Sequence, residues 1–227
     1  NEDIEISQWM HKVLKRKKVD IQTNTIATDI NDEYVLVSIG VEGNSNGFGL
    51  NKIGIEIDEN KHIKVDQNGK TNIDNIYAVG DVIGPPWLAH VSSNEGLYVV
   101  EQIANLNPKK IDYDCVPACT YSKPEIGSIG LSQKILDERN IDYKVVKSFF
   151  NANGKAVASS STEGFIKILV SNDNHILGAH IIGSNATEMI SEFSLAIRNN
   201  LSVENILDTI HPHPTFSEAI FETLMQL

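Results

Sequence analysis

From Ile111 onward the chain places its strand-like runs ahead of its helical ones, and that segregation limits the fold more than any other feature. Residues 128–131, 143–150, 164–170 and 176–182 are short apolar runs rich in β-branched side chains, as strands are. Residues 132–139 read as a short helix between the first two. Helical spacing then dominates near 187–199, 203–209 and 216–225. Strands grouped apart from helices predict an α+β domain, an antiparallel sheet with helices on one face. Its boundary is expected near 108–112, where Pro108 ends the preceding helical pattern.

Ahead of that boundary the pattern suggests parts of α/β units. Ile4, Ile6, Trp9, Met10, Val13 and Leu14 recur at helical spacing over residues 2–17. An alternating run at 19–23 and a near-continuous apolar run at 34–39 read as strands, the second of the buried-sheet kind. The glycine-rich stretch from Gly40 to Gly49 does not make a phosphate loop, because Lys52 stands where the third glycine of a dinucleotide fingerprint belongs. A further strand is expected at 76–79, followed by Gly80 and Asp81, and a helix over 90–105.

Charge and composition remove whole classes of function. A net charge of -11 leaves no basic footprint for nucleic acid, and the one basic cluster, Lys15 to Lys18, suits the last turn of a helix, where cations meet the macrodipole. No stretch approaches the roughly 20 apolar residues of a membrane span. Cys115 and Cys119 form a C-x3-C with an intervening proline, which fits neither a zinc half-site nor a C-x-x-C redox pair. Reduced structural thiols are expected, and no metal site.

Two constellations point to chemistry. Gly80 and Asp81 end an apolar strand pattern, where glycine permits close approach of a ligand and a carboxylate can accept hydrogen bonds from sugar hydroxyls. Gly84-Pro85-Pro86-Trp87-Leu88-Ala89-His90 follows closely. The other is His211-Pro212-His213-Pro214-Thr215-Phe216-Ser217-Glu218. Thr215 and Glu218 have capping-box spacing for the last helix. That leaves two histidines fixed by prolines, with a carboxylate five residues after His213 able to orient an imidazole.

The approach from Thr71 through Asp81 resembles the second flavin fingerprint of FAD-dependent disulfide reductases. The His213-Pro214-Thr215 run is similar to the signature of the pyridine nucleotide-disulfide oxidoreductases, and the run from Gly84 to His90 resembles their lipoamide dehydrogenase branch, although Trp87 replaces a usual Met. The likeness runs over essentially the whole chain and matches a C-terminal half. It implies nucleotide-binding remnants at 1–48 (NAD) and 49–110 (FAD), then an interface domain at 111–227. By the same likeness His213 is the catalytic base and Glu218 its orienting partner, while His211 inherits no role. Gly80, Asp81, Trp87, Leu88, Ala89 and His90 would contact FAD; Gly40 and Ile26 would contact NAD.

The resemblance further implies a homodimer that oxidises protein-bound dihydrolipoamide, working with the lipoyl domains and E2 core of a 2-oxo-acid dehydrogenase complex. The compartment implied is bacterial cytoplasm or mitochondrial matrix. Two departures matter: the family's C-x4-C redox pair and both glycine fingerprints have no counterpart here, and the chain is short between Thr28 and Tyr34. A glutathione-reductase-like enzyme and a non-catalytic dimerisation piece are the alternative expectations.

Overall fold

A computed structural model describes residues 2–28 and 30–227. Its helices are α1 (Ile4–Arg16), α2 (Ala89–Ile103), α3 (Gln133–Glu138), α4 (Gly154–Ala158), α5 (Ala186–Arg198), α6 (Val203–Leu207) and α7 (Glu218–Leu224). The strands are β1 (Ala118–Thr120), β2 (Glu125–Gly130), β3 (Lys144–Phe149), β4 (Phe165–Val170) and β5 (Ile176–Gly183). Contacts divide the chain into two units. One joins the residues up to Asn24 with Tyr113–Leu227; the other is Thr25–Asp112.

In the first unit the five strands form one antiparallel sheet in the order β1-β2-β5-β4-β3. The α+β architecture expected from the segregated pattern is present. Alternation puts Ile166, Ile168, Ala179 and Ile181 on one face, where they pack with Met189, Ile190 and Phe193 of α5 and Ile220 and Leu224 of α7. Each fully buried aliphatic side chain there stabilises the fold by about 1.5–3 kcal/mol before entropy is subtracted. The three-residue β1 lies in a segment where composition alone shows no strand run.

The opposite face carries a polar row. Lys167 of β4 lies between Lys147 of β3 and His180 of β5, and His180 in turn opposes Ser128 of β2. Lys167 and His180 are buried. The start of α1 supplies the opposing acids. Asp3 caps that helix by accepting from the Glu5 amide at 3.0 Å, and both its carboxylate oxygens also lie 3.0 Å from the Lys167 ammonium. Glu5 stands 2.9 Å from Lys167 and also pairs with Lys147; Glu2 accepts from the Ser128 hydroxyl at 3.0 Å, and the Gln133 side chain accepts from Lys167. Beside this row Ile6, Ile126, Phe165 and Ile182 form a small apolar cluster with Trp9 and Met10. Residues 2–17 therefore do form the expected amphipathic helix. It covers a face of the sheet formed by a segment more than a hundred residues away.

Burial pushes the His180 imidazole below its ordinary value of 6.5, with Asp3 opposing that effect. A histidine whose folded value is depressed is neutral inside, so its share of stability is present above about 6.5 and is lost as pH falls below that value.

The second unit is built largely from turns. Isolated bridges join Ile57 to Ile63 and Lys70 to Tyr77, a short 3-10 turn spans Gly80–Ile83, and α2 buries Val91, Tyr98 and Val99. The strands expected at 19–23, 34–39 and 76–79 do not form as ladders. Residue Tyr77 makes only its bridge, and Tyr34, Leu36 and Ile39 are 85–94% exposed. An apolar run becomes a strand only where a neighbour accepts its backbone hydrogen bonds. Among the described residues none is paired with 34–39.

Replacing Lys167 by Met should leave Asp3 buried without its cation and destabilise the first unit by about 3–5 kcal/mol, the usual cost of breaking a buried pair. Removing both charges together, as Asp3→Leu with Lys167→Met, should recover most of that loss. Denaturant unfolding of the parent and the two variants measures it; a single variant as stable as the parent contradicts this account of the row.

Candidate active site

His213 is presented on the segment that joins α6 to α7. Its Nδ1 lies 2.7 Å from Oε1 of Glu218, the first residue of α7, while the other carboxylate oxygen accepts from the Thr215 amide at 2.7 Å. One carboxylate thus holds both the imidazole and the backbone two residues beyond it. A carboxylate only accepts, so Nδ1 carries the hydrogen and the neutral ring keeps its Nε2 lone pair. The His213 side chain is 77% exposed, which leaves that nitrogen open to a reactant.

The capping box expected from Thr215 and Glu218 forms only in part. Ser217 is the residue before α7, and the Thr215 hydroxyl donates to the Pro212 carbonyl at 2.7 Å instead of capping the helix. Glu218 still reaches back to the Thr215 amide, and this bond is the larger reason its carboxyl is held below the ordinary 4.5, with His213 next and the charge of His211 contributing least. Asn153, 1% exposed and just ahead of α4, donates from Nδ2 to the Thr215 carbonyl at 3.1 Å. Sequence reasoning missed Asn153 as a support. Its only signal was a position before a glycine, where asparagine caps α4 by accepting from Ala156.

In the second unit Gly80 adopts φ +78, the left-handed region that favours glycine, and a side chain there would meet the Ser92 hydroxyl at 2.9 Å. Its amide donates to Glu95 of α2 at 2.7 Å. Glu95 is 7% exposed, so this helix carboxylate fixes the turn that presents Asp81. The Asp81 side chain is exposed. Leu88 precedes α2 without capping it through its side chain, so the helix begins open beside Ala89 and His90, both exposed. Trp87 is 40% exposed, with its ring 6.2 Å from that of His62, whose Nδ1 lies 3.2 Å from Asp58. Glu95, Ser92 and His62 were not legible as site residues, since each acts through the fold and not through a motif.

The structure therefore brings Gly80, Asp81, Trp87, Leu88, Ala89 and His90 onto one turn and helix start. Gly40, with φ +123 and open space where a side chain would stand, and Ile26, 87% exposed, lie on irregular chain of the same unit. Cys115 and Cys119 are not joined in a disulfide; burial first, then Glu125 and Glu188, pushes the Cys119 thiol above its ordinary value. Such a thiol is a poor nucleophile at neutral pH. No group of three or more His, Cys, Asp or Glu suited to a metal ion occurs among the described residues, and none of their helices is long and apolar enough to cross a membrane.

A sheet-and-helix domain with this topology is shared with a known class. The family model for the pyridine nucleotide-disulphide oxidoreductases matches residues 1–96, and the model for their dimerisation domain matches 116–224. The chain belongs to the pyridine nucleotide-disulphide oxidoreductases. Among its relatives, dihydrolipoyl dehydrogenase of Bacillus subtilis is 36% identical over 240 residues, 96% of this chain and 51% of the relative. The enzyme of the same name from Chlamydia muridarum is 43% identical over 194 residues, 85% of this chain and 42% of the relative, and the mitochondrial one of Bos taurus is 36% identical over 244 residues, 97% and 48%. The chain spans about half the length of the curated relatives it matches. In structure it is similar to LpdA from Mycobacterium tuberculosis (TM-score 0.89, 24% identity, 100% of this chain and 53% of that one) and to the HOCl-induced flavoprotein disulfide reductase RclA from Escherichia coli (0.87, 24%, 99% and 56%). At that identity the likeness concerns the fold alone.

A folded value below 4.5 means that the Glu218 contribution is full above that pH and disappears as pH falls through the lowered value. The Glu218 carboxyl carbon, followed by NMR, should titrate with a midpoint below 4.5, and Thr215→Pro, which deletes the donating amide, should raise it. A midpoint at or above 4.5 in the unaltered chain contradicts the two-bond arrangement.

Proposed function

We propose that this chain works as part of a dihydrolipoyl dehydrogenase, with His213 as general base and Glu218 as the group that orients it. The observation that carries the reading is the single carboxylate shared by the His213 Nδ1 and the Thr215 amide, which leaves Nε2 exposed and able to accept a proton. The names borne by relatives 36–43% identical support the substrate class.

The net reaction forms the lipoyl S–S bond from two thiols, reduces NAD by two electrons and one proton, and releases the second proton. His213 takes a thiol proton at Nε2, and the Glu218 carboxylate stabilises the cationic ring that results. A positioned base of this kind typically contributes about 10²- to 10⁴-fold. The redox cysteine pair this requires comes from outside Cys115 and Cys119, since the raised value of the Cys119 thiol disfavours a thiolate.

FAD, when bound, would carry the electron pair between that disulfide and NAD. The residues present suit part of its site. Asp81 is an exposed acceptor held beyond a left-handed glycine, and Trp87, Leu88, Ala89 and His90 line an uncapped helix start. Gly40 and Ile26 would meet NAD, the first because its backbone can be approached closely. On this reading 1–48 and 49–110 are parts of the NAD and FAD domains and 111–227 is the interface domain. Residues up to Asn24 pack with the last of these.

The same reading makes the enzyme a homodimer in which His213 serves the partner's cysteine pair. Exposed Tyr121, Val157, Leu195 and Met225 in the first unit give such a dimer apolar surface to cover. Its partners are the lipoyl domains and E2 core of a 2-oxo-acid dehydrogenase complex, in bacterial cytoplasm or, in a eukaryote, the mitochondrial matrix.

Mixing subunits of the complete enzyme that carry His213→Ala with subunits lacking the redox cysteines should restore one working site per heterodimer, up to about half the parent activity. Folded heterodimers with no activity contradict the shared site. The 227-residue chain by itself should bind no stoichiometric flavin, because Gly80 and Asp81 supply one side of a site that also needs a glycine loop for the pyrophosphate. A yellow preparation with a full flavin spectrum overturns that expectation.

A further inference from the structure

His211, which the family likeness leaves without a role, is tied into the fold more firmly than His213. Its side chain is 7% exposed. Nε2 lies 2.9 Å from Glu192 Oε1 on α5, Nδ1 lies 3.1 Å from the Thr209 carbonyl, and its ring stands 6.2 Å from that of Phe221 on α7. One side chain therefore connects two helices to the segment that presents His213. Apolar packing does not do this work. Ile210 beside it is 95% exposed, and an open cavity of about 390 Å³ adjoins the segment, lined among others by Leu207, Thr209, His211, Glu218 and Phe221.

The far side of the segment is anchored separately. Thr215 bonds to Glu218, Asn153 and the Pro212 carbonyl. Between these points the exposed His213 ring has, among the described residues, one side-chain hydrogen-bond partner, Glu218. Its direction depends on where the backbone enters, two residues earlier, and Pro212 removes a torsional freedom between the two histidines. We propose that His211, through its bonds to Glu192 and the Thr209 carbonyl, is the positioning residue that holds the His213 ring against Glu218. This rests on the reading of His213 as the base. Misplacing a catalytic group by about 1 Å can cost on the order of 10²-fold in rate.

The test uses the complete enzyme labelled with ¹⁵N-histidine, in which long-range ¹H–¹⁵N correlation reports which ring nitrogen of His213 carries the hydrogen. In the parent, His213 should show one tautomer, protonated at Nδ1. His211→Ala should mix the two tautomers and lower kcat by roughly 10- to 100-fold with KM within about twofold. His211→Gln, which can still donate to Glu192 from a similar position, should restore most of both. If His211→Ala does not fold, Glu192→Ala removes the same tie from the surface of α5 and should give the same tautomer mixing. A folded variant with an unchanged His213 tautomer and kcat within twofold overturns the proposal. Failure of the broader reading looks different: His213→Ala would then keep its turnover, while the tautomer measurement would still report whether His211 holds the ring.

Discussion

The first unit depends on one buried ammonium. Lys167, on β4 next to the edge strand of the sheet, is fully buried, and Asp3, Glu5 and Gln133 surround its ammonium with oxygen. Desolvating a lysine costs several kcal/mol, so the acids must come with it. Asp3 does two jobs at once, capping the start of α1 and balancing Lys167. For that reason α1 cannot move off the sheet without stranding both the helix cap and the cation. Tyr113–Leu227 and the residues up to Asn24 are thereby one body. The helices α5 and α7, which carry Glu192 and Glu218, belong to the same body.

A similar economy operates around His213. Glu218 is the first residue of α7, the partner of an imidazole and the acceptor for a backbone amide. A helix start is a favourable place for a carboxylate, since the exposed amides and the macrodipole both stabilise its charge. The charge that suits the helix is the charge that orients the ring. The pair stands at the surface, with the His213 ring exposed.

Much of this was legible in the sequence, and the division follows distance along the chain. β2 to β5 and α5 to α7 were visible because alternation and helical spacing are local properties. The pairing of His213 with Glu218 was visible because five residues and two prolines leave the ring few directions. Nothing local could reveal that Lys167 meets Asp3, that Asn153 holds Thr215 or that Glu95 takes the Gly80 amide, since each pairs residues far apart in sequence. The apolar run at 34–39 shows the opposite limit: its composition describes a strand, but a strand is a relation between neighbours.

The separation of 164 residues between Asp3 and Lys167 also bears on how the unit assembles. Closing so long a loop is entropically costly, though the cost grows only with the logarithm of length, whereas the helices and hairpin pairings close short loops. Away from the sheet the acids of α1 are solvated at no penalty. Had the tie been purely apolar, the exposed surface would invite association with other chains. The charged clasp thus seats α1 on a sheet built from residues far along the chain.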